Sequence, residues 1–254
     1  MILTVDVGNT QTATGLFEGE RLCESWRLAT KADSTSDEIH LLLDGQFRLR
    51  GLDLGTCERF VIASVVPSLT GCWAQVARRV TGNEPIVLGP GVETGLALRY
   101  DNPDEIGADR VADALGAIAL VGAPVVVVDL GTATNIEVVN DQGEFLGGII
   151  APGLGTGARD LATHAARLPL VGLSEPDHVI GTNTIDAMQS GLVYGEASRI
   201  DGLVRRIFDE LGYTAPVIAT GGYANVMARL CETVTHHQEN LTLEGLRLVY
   251  ERNK

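Results

Sequence analysis

The stretches ILTVDVGNTQT (2–12) and VVVVDLGTATN (125–135) each run an apolar strand into an aspartate, a glycine and small hydroxyl residues. Their aspartates, Asp6 and Asp129, stand 123 residues apart in a chain of 254. A carboxylate at the end of a valine strand is costly to bury without a partner. Finding the pattern twice therefore points to a duplicated architecture with a duplicated task.

The surrounding sequence repeats as well. MILTVD, TATGLFEG and ERLCESWRLAT alternate like a strand meander, with a tight turn at Glu18-Gly19 or Gly19-Glu20. Residues 36–49 carry apolar positions at helical spacing behind a Thr35 or Ser36 cap. RFVIASVVP (59–67) reads as a buried strand ended by Pro67, SLTGCWAQVARRVTG as the helix after it, and 85–88 as a further strand. A helix at 107–122 opens the second block, and 124–152 again gives strand, Asp-x-Gly turn, strand, turn and strand. A helix from Gly153, a long helix over 184–212, the strand PVIAT and a helix after GGYAN complete it. The predicted fold is α/β, with two similar mixed-sheet domains, 1–115 and 116–254, facing each other across a cleft where the two turns meet. The competing layout is a single doubly wound sheet.

Composition narrows the function classes. A hydrophobic fraction of 45% supplies ample core. Four cysteines, Cys23, Cys57, Cys72 and Cys231, lack Cys-x-x-Cys spacing and suggest neither a zinc site nor a disulfide framework. A formal charge of −14 argues against nucleic-acid binding, since a polyphosphate backbone would be repelled. The opening residues carry no basic region and apolar core of a signal peptide, and no apolar run approaches the roughly 18 residues of a membrane span. The expected location is the cytoplasm.

An Asp-x-Gly turn with hydroxyls suits phosphate binding. Gly8 and Gly131 let successive backbone amides converge on an anion, and Thr10 and Thr132 add hydroxyl donors. Two carboxylates beside that anion need a hard cation such as Mg²⁺ between them. One Asp-x-Gly is common at ordinary turns; the pair is the signal, and it points to a metal-bridged nucleotide.

Together with GADR (107–110), GGIIAPG (147–153) and GTNTIDAMQSG (181–191), the turns DVGNT (6–10) and DLGTAT (129–134) resemble type III pantothenate kinases. These belong to the sugar kinase, Hsp70 and actin superfamily, and the resemblance extends to the C-terminal LTLEGLRLVYERN. It implies two ribonuclease-H-like, actin-like ATPase domains and ATP-dependent phosphorylation of pantothenate, the first step toward coenzyme A. By the same resemblance, Asp6, Val7, Gly8, Asn9, Thr10, Gln11, Thr12 and Ala13 bind the ATP phosphates, with Asp6 on Mg²⁺ and Thr132 on phosphate from the second turn. Asp129 falls at the position of a monovalent cation, K⁺ or NH₄⁺.

Asp109 corresponds to the catalytic base; Tyr100, Gly107, Ala108 and Arg110 correspond to the pantothenate pocket. Thr184 matches a threonine that reaches the substrate from the partner subunit of a homodimer. Local rules alone give plainer readings: Asp109 as an acid complementing a helix N-terminus, and Thr184 as a helix cap. Gly221 and Gly222 match the adenosine-side glycine pair or a simple strand-to-helix turn. GLGTGARD (153–160) lacks the spacing of a dinucleotide loop, no P-loop pattern occurs, and His236-His237 read as surface residues. Asn135 and Glu137 depart from the threonine and aspartate of many relatives, so cation preference or ATP affinity is open to change. Two alternatives stand beside the kinase: a nucleotide-binding regulatory protein without kinase activity, and a kinase for another small hydroxylated acceptor.

Overall fold

The computed structural model describes residues 1–165 and 167–254. In chain order the elements are β1 (Ile2–Val7), β2 (Gln11–Glu18), β3 (Arg21–Ala29), α1 (Ser36–Leu49), β4 (Arg59–Ser64), α2 (Pro67–Thr81), β5 (Ile86–Val87) and β6 (Ala97–Leu98). They continue with α3 (Ala108–Val121), β7 (Val125–Leu130), β8 (Ala133–Val139), β9 (Glu144–Pro152), α4 (Leu154–His164), α5 (Thr184–Leu211), β10 (Val217–Thr220), α6 (Ala224–Leu230), β11 (His236–His237) and α7 (Leu241–Asn253).

The chain divides into two compact units. The first holds residues 1–96, 101–116 and 240–254, and the second holds 97–100 and 117–239. The C-terminal helix thus belongs with the first half, whereas the sequence division at 115/116 grouped it with the second. Three packing facts explain the grouping. Gly245 of α7 lies against the Ala112 carbonyl of α3, where a Cβ would collide, and Thr242 Oγ1 donates to Asp113 Oδ1 at 2.6 Å. Leu243 also packs with Ile2, Ala13 and Phe17 of the first sheet.

The first unit carries a five-stranded sheet in the order β3-β2-β1-β4-β5, with β1 to β3 antiparallel and β4 and β5 parallel to β1. The second sheet repeats this as β9-β8-β7-β10-β11, with β6 added at the β9 edge. Even the irregularities repeat. The β2/β3 register shifts between Leu16 and Phe17 and the β8/β9 register between Val138 and Val139, 122 residues later. The spacing falls from 123 to 122 because the second turn is one residue shorter: Val7 pairs with Thr12, but Leu130 pairs with Thr134.

Burial follows this plan. Val125 to Val128 are fully buried, as expected of a central strand covered on both faces. Leu3, Val5 and Val7 of β1 pack with Ile39, Leu43 and Phe47 of α1 and with Leu69, Trp73 and Val76 of α2. Helix α1 is capped by Thr35, not Ser36: its hydroxyl accepts from Glu38 N at 3.3 Å while Glu38 Oε2 accepts from Thr35 N at 2.8 Å. Pro67 starts α2 rather than ending β4, because its fixed φ suits a first helical position. No helix among the described residues is long and apolar enough to cross a membrane.

Candidate active site

In the first unit, β1 delivers Asp6 half-buried to its sheet end, paired with Ala13 and Ala63. Gly8 N donates to Gln11 O at 3.0 Å, and a Cβ on Gly8 would sit 2.9 Å from that carbonyl, so the turn closes only around glycine. The exposed tip is Asn9, Thr10 and Gln11. Thr30 N anchors it by donating to Thr10 O at 2.9 Å. Thr12 and Ala13 are buried in β2, and the Thr12 hydroxyl is hydrogen-bonded to that of Thr30 at 2.8 Å.

The segment Gly107–Arg110 meets this same sheet end. Val65 N donates to Val7 O at 3.1 Å, and the Val65 side chain lies 3.7 Å from where a Gly107 Cβ would be. Asp109 lies in the first turn of α3, with Oδ1 accepting from Arg110 N at 2.9 Å. That oxygen also occupies the space a Cβ on Gly107 would need, so the glycine gives the carboxylate its seat. Burial pushes the Asp109 carboxyl above the usual carboxylate range; the Arg110 amide and guanidinium pull it back only in part. A largely buried carboxylate with raised proton affinity beside a sheet-end turn has the chemistry of a candidate proton acceptor.

In the second unit, Asp129 is the penultimate residue of β7, and Gly131 N donates to Ala133 O at 2.9 Å. Thr132 is exposed, and its carbonyl accepts from Gly153 N at 3.2 Å and Thr156 Oγ1 at 2.7 Å. Gly153 is close-packed there, with Gly131 O only 2.5 Å from a Cβ position. Gly221, at φ +90°, follows β10 and lies against Asp129 Oδ1, which a Cβ would strike. Tyr223 N then donates to Leu130 O at 3.3 Å. The structure therefore brings Asp129, Thr132 and the 221–223 turn together. The Gly222 Cβ position has nothing within 4 Å.

Tyr100 follows β6 at the outer edge of the second sheet, half-buried. Its ring stands 6.4 Å from that of Phe145 and 3.3 Å from a Cβ position on Gly147, whose φ is +125°. Thr184 is the exposed first residue of α5. It is not the cap: Asn183 is, with Oδ1 accepting from Asp186 N at 3.0 Å. The Asn183 amide side chain one residue earlier takes the capping bond, with Asn183 in the extended conformation of a cap and Thr184 already the first helical residue.

The profile of the family described as type III pantothenate kinase matches residues 2–206. A type III pantothenate kinase of Anaeromyxobacter sp. (strain Fw109-5) is 44% identical over 254 residues, covering 100% of both chains. The chain belongs to the type III pantothenate kinase family. Two solved structures show its fold at low identity. A protein from Campylobacter jejuni titled a Baf family transcriptional activator superposes with a TM-score of 0.64 at 19% identity, covering 99% of this chain and 98% of its own. ROK hexokinase from Thermus thermophilus gives 0.52 at 14% identity, covering 100% and 99%. The fold is that of the actin-like ATPases and sugar kinases.

Within this pantothenate kinase fold, several residues around the turns carried no local signal in the sequence. Thr156, which with Gly153 holds the second turn's backbone, lies in the glycine-rich stretch set aside as a failed dinucleotide loop. Glu196, buried beneath the same turn, sits mid-helix among unremarkable polar residues.

Proposed function

We propose that this chain transfers the γ-phosphoryl group of ATP to the terminal hydroxyl of pantothenate, with Asp109 as the general base. The observation that carries this reading is the Asp109 carboxylate: seated by Gly107, raised in proton affinity by burial, and adjoining the sheet end from which the Asp6–Ala13 turn leaves. Substrate hydroxyl oxygen attacks the γ-phosphorus as its proton passes to Asp109. The bond to the β–γ bridging oxygen breaks, and ADP departs.

The backbone amides of the first turn and Thr132 of the second hold the phosphates. Asp6 would hold Mg²⁺ and Asp129 a monovalent cation, K⁺ or NH₄⁺. The residues fit such ions: both are half-buried carboxylates, and the missing Cβ of Gly221 keeps room at Asp129 Oδ1. Among the described residues no cluster of three or more His, Cys, Asp or Glu forms a closed cage. The Asp6 carboxylate is a hard oxygen donor of the kind Mg²⁺ prefers. When bound, these cations neutralise charge on the triphosphate.

Tyr100, Gly107, Ala108 and Arg110 line the pantothenate side. Thr184 contributes from the partner subunit of a homodimer. Exposed apolar neighbours support that contact: Val179, Ile180 and Ile185 are 68%, 83% and 51% exposed. The working location is the cytoplasm.

The pH dependence of kcat/KM for pantothenate tests the base. Only the ionised carboxylate accepts the proton, so activity rises with pH through the Asp109 pKa. Because burial raises that pKa, the acid limb falls above the ordinary aspartate value of about 3.9. An acid limb at or below the ordinary value, or none, removes Asp109 from this role.

A further inference from the structure

Glu196 is a buried carboxylate, 6% exposed, on the inner face of α5, and nothing in the proposed chemistry uses it. Its two oxygens are both engaged. Oε1 accepts from the Thr134 hydroxyl at 2.6 Å, and Oε2 is ion-paired with Arg199 one helical turn on. Arg199 Nη2 in turn donates to Pro152 O at 2.7 Å. Thr134 and Pro152 are not arbitrary anchor points. Thr134 closes the second turn opposite Leu130, and Pro152 pairs with Ala133 just before Gly153, whose amide binds Thr132 O.

The strand leaving the turn, β8, and the end of its neighbour β9 are therefore tied to one helix through a single carboxylate–guanidinium pair. A buried ion pair is poor value as bulk stabilisation, because desolvation offsets most of the attraction. What it supplies is fixed geometry: two charge-assisted bonds and one hydroxyl bond with defined directions.

We infer that Glu196, with Arg199, is a positioning residue that holds the Gly131–Ala133 turn in its phosphate-binding shape. The inference rests on the proposed role of Thr132. It does not contact the nucleotide; it acts through Thr134 and the β9 end. A turn displaced by even about 1 Å loses aligned donors, and such misplacement costs up to about 100-fold.

Steady-state kinetics on the full-length protein test this. Glu196→Ala and Thr134→Val each raise the KM for ATP by about 10- to 100-fold and leave the KM for pantothenate unchanged. Thr134→Ser, which keeps the hydroxyl, restores the native value. The Glu196→Ala/Thr134→Val double variant is no worse than either single change, because both break the same linkage. A purely structural role would instead lower the melting temperature and shift both KM values together, which overturns the inference, as does additivity in the double variant. Should Glu196→Ala not fold, the nearly isosteric Thr134→Val and Thr134→Ser pair carries the test alone. Thr132→Ala separates the two layers. If it leaves the KM for ATP native, the phosphate role of this turn falls and the inference with it. If it raises that KM while Thr134→Val does not, only the inference falls.

Discussion

Asp109→Asn lowers kcat by about 10²- to 10⁴-fold, the usual contribution of a positioned general base, with little change in the KM for ATP. The amide has the same shape, so it keeps the bond from Arg110 N and the seat against Gly107. It cannot take the hydroxyl proton. The stability effect has the opposite sign. Burial raises the folded-state pKa of Asp109 above its unfolded value, so the native protein binds this proton more tightly. Ionised Asp109 therefore costs stability, increasingly as pH climbs from the unfolded to the folded pKa and fully above it. The variant escapes that cost: at neutral pH it melts at the same temperature as the native chain or higher, and the gap closes in acid. Turnover close to native would remove Asp109 from the mechanism, and a sharp drop in melting temperature would make it a structural acid.

Gly221→Ala is the second large effect, and it acts on the other turn. At φ +90° a side chain is strained at a cost of about 1–3 kcal/mol. Its Cβ would also strike Asp129 Oδ1 and approach Leu130 N at 2.7 Å. Backbone atoms of a central strand cannot yield, so the Asp129 carboxylate must swing away or the 221–223 turn must open. Either movement takes the proposed cation ligand out of place, and the expected result is a rise of about 100-fold in the KM for ATP together with lower stability. Calorimetric titration with ATP checks the first part and thermal unfolding the second. Native ATP affinity in a folded Gly221→Ala protein would separate the 221–223 turn from nucleotide binding.

The duplicated sheet was legible because its signal is local. Strand alternation, an Asp-x-Gly turn and a fixed spacing are all visible within a dozen residues of Asp6 and of Asp129. The place of α7 was not, since its assignment to the first unit depends on Gly245 meeting Ala112 across more than half the chain. Strand β6 is two residues long and is created by its pairing with Glu144 and Phe145, not by any run of its own. Capping of α5 was misplaced by one residue because Asn183 and Thr184 are both good caps, and only backbone geometry chooses between them. Among the site residues, Asp109 was visible through the GADR resemblance, but its raised proton affinity arises from burial that no spacing reveals. Glu196 was invisible for a simpler reason: its partner Thr134 is 62 residues away.

The most direct test of the whole account is ADP release by the native protein with Mg-ATP, in the presence and absence of pantothenate, in K⁺ and then in Na⁺. The account predicts turnover that requires pantothenate, is faster in K⁺ than in Na⁺, and yields singly phosphorylated pantothenate by mass spectrometry. Turnover preferring a sugar or another hydroxylated acceptor, or a folded protein that binds ATP without transferring phosphate to pantothenate, would contradict it.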